Sequence, residues 1–229
     1  MSRTSNLDNQ SIYDLVLEAI VRRKLPPGTK LSEERLSKVF GVSRTRLREV
    51  FLRLSQDRII TLRVNRGAYV TEPTARDTAE VFAARRAVES AVVTELADTR
   101  GNTELFKLKQ HLEREAQARQ AGDHQLLTQL TGDFHLLLAE LSGNSIYFDI
   151  VRRLAALSSL IIYLYDSPNA SACKDDEHLE IVLAIEAGDP ERARDLLLAH
   201  LQHVENSLRT SETDSDDFNI EAVFAELMN

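Results

Sequence analysis

Apolar residues recur at helical spacing along most of the chain. In residues 11–24, SIYDLVLEAIVRRK, one face gathers Ile12, Leu15, Val16, Ala19 and Ile20, and the following LPPG ends the helix because neither proline supplies a backbone donor. SEERLSKVF fits a second helix, capped by Ser32, with Glu33 and Glu34 at the positive end of its dipole. Gly41 turns the chain, Ser43 caps again, and Leu47, Val50, Phe51 and Leu54 follow at i, i+3, i+4 and i+7. The period then changes. In IITLRVNRGAYV, β-branched and aromatic residues flank NRG, which predicts a short hairpin with glycine in its turn. From Asp77 the pattern is helical again, at 77–99, 103–120, 123–142, 145–166, 175–187 and 190–209, with breaks at RGN, AGD, SGN, SPNAS and AGDP.

Helix, helix, turn, helix, hairpin is the order of a winged helix-turn-helix, and the later segments, free of strand signals, predict an antiparallel helical bundle. The expected fold is therefore mostly α: a winged helix-turn-helix over 1–72, a linker at 73–76, an all-α bundle over 77–209, and an acidic tail, 210–229, whose IEAVFAELM can form a short helix.

Composition narrows the functions open to such a chain. With 229 residues and 43% hydrophobic content it can bury two cores. No run approaches the length of a membrane span, and MSRTSNLDNQ lacks the apolar core of a secretory signal, so residence in the cytoplasm is expected. The single Cys173 allows neither an internal disulfide nor a cysteine zinc site. The net charge of −8 conceals an asymmetry: residues 1–70 hold 14 Lys and Arg against 7 Asp and Glu, and the remainder holds 14 against 29. A basic first third on an acidic chain points to a polyanion as its partner.

The basic residues crowd at one place. With Leu47, Val50, Phe51 and Leu54 turned to the core, Thr45, Arg48 and Glu49 lie nearly opposite on the helical wheel, and Arg44 and Arg46 flank the first turn. Residues at the start of a recognition helix reach base edges in the major groove, where an arginine donates twice to guanine. Ser43 and the amides beside it suit a phosphate. Arg66 and Gly67, at the hairpin tip, fit a wing against the DNA backbone or minor groove.

These residues resemble a known family. LPPGTKLSEERLSKVFGVSRTRLREVFLRLSQDRIITLRVNRGAYV is similar to the winged-helix domain of GntR-type bacterial transcription regulators. The resemblance implies DNA contacts by Arg35, Arg44, Thr45, Arg48 and Gly67. Two positions depart from the pattern: Arg46 stands where the family usually has proline, and Arg58 where it usually has glycine, which puts the shape of that turn in doubt.

Of the six histidines, His135, His178 and His200 lie on three different predicted helices. Neutral imidazole is a common ligand for transition metals, and side chains from facing helices of a bundle can converge on one ion. FAARRAVES, the FH…SGN segment and the histidines around AIEAGD are similar to the FCD ligand-binding domain of the FadR-like branch. That resemblance implies an effector-binding and dimerisation domain with a divalent metal on His135, His178 and His200, completed by a carboxylate effector. Thr131, four residues before His135, replaces a frequent family carboxylate, which favours zinc or nickel over magnesium. By the same resemblance Arg85 faces the effector pocket, and Thr131 lines it; an alternative pairs Arg85 with Glu89 at i+4.

The expected protein is a homodimeric regulator, a repressor, binding a near-palindromic double-stranded operator at the nucleoid and responding to a small organic acid, without enzymatic activity and without membrane association. The alternatives are a bundle that serves dimerisation alone, and a metal-dependent enzyme fused to a DNA-targeting module.

Overall fold

The computed structural model describes residues 7–99, 101–165 and 176–208, together with Phe224 and Met228. Cys173 and the rest of the helix expected near the C-terminus lie outside the described residues. The first helix, α1 (Asn9–Val21), begins two residues before the expected 11 because Asp8 caps it, its carboxylate accepting from the Ser11 amide at 2.7 Å. It also ends before Lys24: Arg23 turns left-handed at φ 55, ahead of the prolines.

The strand β1 (Lys30–Leu31) was not among the expected elements, since two residues carry no period. The next two helices follow the caps read from the sequence. In α2 (Glu33–Phe40), Ser32 Oγ accepts from the Arg35 amide, and Gly41 closes the helix at φ 65. In α3 (Arg44–Gln56), Ser43 Oγ accepts from the Arg46 amide at 3.2 Å, and Leu47, Val50, Phe51 and Leu54 are buried. The hairpin follows as β2 (Ile60–Arg63) and β3 (Gly67–Val70), antiparallel with Ile60 opposite Val70 and Arg63 opposite Gly67. On the other edge of β3, Lys30 pairs with Tyr69, which makes a three-stranded sheet in the order β1-β3-β2. Gly67 adopts φ 96, and Asn65 in the turn is also left-handed, at φ 58. Arg58 holds φ 61, so it keeps the conformation that a glycine would take there without strain.

The helical domain starts with α4 (Ala75–Thr99). Thr74 and Asp77 cap it reciprocally: Thr74 donates through its amide and hydroxyl to Asp77 Oδ2, and the Asp77 amide donates back to Thr74 Oγ1 at 3.2 Å. Ala75 and Arg76, within the stretch expected as linker, are thus already helical. The remaining helices are α5 (Asn102–Gln120), α6 (His124–Leu141), α7 (Ser145–Tyr165), α8 (Glu177–Ala187) and α9 (Pro190–Ser207), each within two residues of its expected bounds. The mostly α architecture is the one the periodicity predicts.

Two cores result. Around α1, α2, α3 and the sheet lies one that includes Ile12, Leu36, Leu47, Phe51 and Val70; α4, α6, α8 and α9 enclose the other through Leu96, Phe134, Ile185 and Leu201. The helix α7 belongs to both walls. Its Ala156 and Leu160 are buried in the head's core, while Val151 is buried in the bundle's. Polar contacts fasten the same joint: Arg152 pairs with Asp14 at 2.7 Å, Arg153 with Asp57 at 2.8 Å, and Ser159 Oγ donates to the Val21 carbonyl at 3.2 Å.

Candidate metal centre and nucleic-acid interface

Most of the predicted DNA-facing residues stand on the surface. Arg35, Ser43, Arg44, Thr45, Arg48, Arg66 and Gly67 are exposed. Two arginines of α3 meet acids of α2, Arg48 pairing with Glu33 at 2.8 Å and Arg44 reaching Glu34 at 3.6 Å. Both pairs lie in solvent, where a phosphate competes readily with a carboxylate. Arg46 differs. Its Nε donates to Asn9 Oδ1 at 2.7 Å, while Asn9 Nδ2 donates to Glu49, so the start of α1 is laced to the first turn of α3. On the wing Arg63 pairs with Glu72 and lies over the Tyr69 ring, whereas Val64, at the tip, is 88% exposed. At Gly67 a Cβ would meet nothing within 4 Å; the requirement for glycine within the chain is its φ of 96.

The bundle places its polar chemistry inside. His135 on α6, His178 on α8 and His200 on α9 are each buried, and all three rings converge, with ligand atoms within 4.8 Å of one another. Each ring turns its Nδ1 to a carboxylate: His135 to Glu89 of α4 at 2.7 Å, His178 to Glu115 of α5 at 3.0 Å, and His200 to Glu177 of α8 at 2.8 Å. Their Nε2 atoms face one another, with 3.4 Å from His178 to His200 and 3.3 Å from His200 to His135. Phe134 stacks on the His178 ring at 4.0 Å and fixes its plane.

Electrostatics settles where the protons reside. Burial would raise the Glu89 carboxyl, but Arg85, whose Nε donates to it at 2.6 Å, and His135 hold it at about 2. Glu115 is likewise held at about 2 against burial by its hydrogen bonds with His111 and His178. Glu177 is lowered by His200 despite its partial burial. An ionised carboxylate only accepts, so each Nδ1 carries the proton and donates it. Burial pushes His135 down to about 3 and His200 downward too, which keeps these rings neutral. The Nε2 atoms of His135 and His200, 3.3 Å apart, then present lone pairs to each other, a repulsive arrangement that a cation between them reverses.

The donor set fits a transition metal. Two imidazole nitrogens bound at 2.0–2.1 Å in a tetrahedron lie about 3.3–3.4 Å apart. That is the separation of two of the three Nε2 pairs, those that His200 makes with His178 and His135. A carboxylate behind each ligating histidine is the arrangement that fixes the tautomer and raises ligand basicity. The chain offers three imidazole ligands here, which suits zinc or nickel better than calcium or magnesium.

The other predicted residues take clear positions. Thr131 does not turn its hydroxyl proton to the histidines: Oγ1 donates to the Thr128 carbonyl at 3.0 Å. Arg85 is buried with Glu89 as the i+4 alternative foresees, and its NH1 also reaches Ser158 Oγ of α7 at 3.4 Å. Arg86 points elsewhere, to Glu205 of α9. His203 lies beside the second oxygen of Glu177 at 3.0 Å, and His111 donates to the Leu130 carbonyl at 2.9 Å. Sequence reasoning missed Glu115 and Glu177 and saw in Glu89 only a partner for Arg85. Its one available signal was a glutamate next to His178, yet Glu177 serves His200 across the helix pair.

Comparison with known proteins agrees with these two halves. Residues 9–70 match the model of the bacterial regulatory proteins of the gntR family, and residues 80–203 match the FCD domain. The chain is 28% identical to the HTH-type transcriptional repressor RspR of Escherichia coli K12 over 92% of both chains. It is 24% identical to a probable D-xylose utilization operon transcriptional repressor of Paenarthrobacter nicotinovorans over 83% of this chain and 84% of that one. A GntR regulator from Rhodococcus sp. RHA1 superposes with a TM-score of 0.71 at 27% identity, covering 86% of this chain and 95% of that one. McbR/YncC of E. coli shares the fold, at a TM-score of 0.74, 22% identity and 88% and 95% coverage. These families regulate transcription and are not enzymes. A winged head with an exposed arginine-bearing helix, joined to a bundle of this kind, thus belongs to the GntR family of DNA-binding transcriptional regulators, in the branch that carries an FCD domain.

Proposed function

We propose that the protein is a homodimeric cytoplasmic repressor whose two α3 helices enter successive major grooves of a near-palindromic operator, and that a small organic acid releases it by binding at a metal on His135, His178 and His200. The observation that carries the effector half is the set of three buried imidazoles, each backed by a carboxylate, with their Nε2 atoms 3.3 and 3.4 Å apart in the two measured pairs. When bound, a divalent ion supplies a positive centre whose open positions accept carboxylate oxygens. The chain's own residues orient the ligands: Glu89, Glu115 and Glu177 hold the rings, and Arg85 holds Glu89. The repressor names of two relatives support the sign of control.

On the DNA side, Ser43 and the amides of the first turn of α3 suit a phosphate, Arg44, Thr45 and Arg48 suit base edges, Arg35 and Arg46 reinforce the backbone contact, and Arg66 with Gly67 brings the wing to the groove. The effector must bind the operator-competent and the released conformations unequally, or it shifts nothing. A second reading makes Arg85 a brace for Glu89 alone; its 2.6 Å bond to that carboxylate favours it over direct contact with the acid.

Elemental analysis of the purified protein, a thermal-shift series with zinc, nickel and magnesium, and anisotropy on selected genomic duplexes test the proposal together. One zinc or nickel per chain, lost in His135→Ala, and acid-dependent release of the duplex are expected. Absence of both metal and acid response leaves the bundle a dimerisation unit. Arg48→Ala weakens operator binding on the order of ten- to a hundredfold if it reads a guanine. Equal weakening on operator and random DNA makes it a phosphate contact.

A further inference from the structure

A cavity opens where the head meets the bundle, and no residue of the histidine cluster lines it. Its volume is about 310 Å³, at the small end of the range for small-molecule sites, roughly 300–1,000 Å³. The walls are apolar: Pro73 after β3, Val81 and Ala84 of α4, and Leu154 and Leu157 of α7. Polar groups border them, Arg58 from the turn between α3 and β2, Thr71 from the end of the wing, and Asp77 and Glu80 from the first turns of α4. The Arg58 and Glu80 side chains, 71% and 47% exposed, mark the side that faces solvent. An apolar body with one polar group at its outer end matches this distribution.

The charges at the rim decide the sign of that group. Both acids are already compensated. Thr74 donates its amide and hydroxyl to Asp77 and holds that carboxyl below its usual range. Arg76 pairs with Glu80 at 2.9 Å and lowers it likewise. Arg58 reaches Glu80 only at 3.4 Å, a loose pair in solvent that an incoming anion exchanges at little cost. The Thr71 hydroxyl, 3.4 Å from that of Thr61, is a second donor in the lining. Arg58 also holds φ 61, and residues kept in such a conformation gather at ligand sites. We propose that this cavity binds a small monocarboxylic acid with a hydrocarbon body. The body lies among Val81, Ala84, Leu154 and Leu157, and the carboxylate takes the Arg58 guanidinium from Glu80, which keeps Arg76. Because the lining comes from the head and from the bundle, an occupant braces one against the other. The site goes beyond the effector reading, since it uses neither the metal nor its ligands.

Isothermal titration calorimetry on the full-length, chelator-treated protein tests it near neutral pH. The probes are octanoate and naphthoate, with acetate as an acid that lacks a body and octanol as a body that lacks an acid. At least one of the two larger acids binds saturably, one molecule per chain, and on the order of tenfold or more tighter than acetate. Arg58→Gln, a change at an exposed position, weakens that acid by about tenfold and leaves octanol unchanged. Ala84→Leu fills the cavity and weakens acid and octanol alike. Absence of saturable binding by either acid overturns the site. Binding that requires added zinc belongs to the histidine cluster and overturns it as well. An affinity unchanged in both variants places the acid elsewhere on the protein, and one lost in Ala84→Leu but kept in Arg58→Gln overturns the part given to Arg58. None of these outcomes bears on metal content or on operator binding, so the site and the proposed function stand or fall separately.

Discussion

The two halves of the molecule treat charge in opposite ways. In the head, Arg44 and Arg48 stand in solvent against Glu34 and Glu33, and among the described residues no charged side chain is buried there, although the Tyr13 hydroxyl reaches Asp57 from the core. In the bundle, Arg85, Glu89, His111, Glu115, His135, Ser158, His178 and His200 are all buried. Surface pairs are weak and exchangeable, so the head can release its acids to a polyanion. Buried groups hold one another in place at high cost to any member that loses its partner, so the bundle presents one fixed constellation. The first strategy suits recognition of a long, repetitive ligand, and the second suits coordination of a single ion.

The contrast is sharpest in stability. Glu89→Gln leaves the Arg85 guanidinium buried without a counter-charge and is expected to destabilise the protein by about 3–5 kcal/mol. Glu33→Ala, which removes the surface partner of Arg48, is expected to leave the unfolding midpoint unchanged. Urea denaturation of both variants checks the pair; equal effects would dissolve the distinction between the two regions.

A pH series comes next. His135 falls to about 3 in the folded chain, below its ordinary 6.5, mainly through burial. Between these values the unfolded chain binds a proton that the folded one refuses, so the stability of metal-free protein is full above about pH 6.5 and declines as the pH falls toward 3. His200, shifted the same way, adds to the slope. Thermal melts of chelator-treated protein read it, and His135→Phe flattens it; a midpoint that rises on acidification over this range contradicts a neutral His135 and His200.

The smallest effect belongs to the head. Arg58 holds φ 61, which strains any residue but glycine. Arg58→Gly raises stability by up to about 1 kcal/mol, the relief of strain exceeding the extra entropy of the unfolded chain. A loss of stability on calorimetry would show that its contact with Glu80, at 3.4 Å, outweighs the strain.

Legibility in the sequence follows the same division. The head is built from signals a few residues apart: Ser32 and Ser43 cap the helices they precede, and the stripe from Leu47 to Leu54 is buried as its period requires. Only β1, two residues long and defined by pairing with Tyr69 and Ala68, escaped. The helices of the bundle were equally plain, because each carries its own period and its own break. The site they enclose was not. Glu89 stands 46 residues from His135, and Glu115 stands 63 from His178, so no local pattern joins them. The histidines emerged only through resemblance to a family, and that resemblance marks ligands, not the groups behind them.

The placement of α7 has a further consequence. Because its Ala156 and Leu160 complete the head's interior while the neighbouring Ser158 touches Arg85 behind the histidines, the winged module is not a pendant swinging on a string. It is seated on a shaft, and any roll or slide of that shaft caused at the imidazoles turns the seat as well. Such a joint needs no loosening for the winged module to be re-aimed; a small rotation of one rigid part suffices.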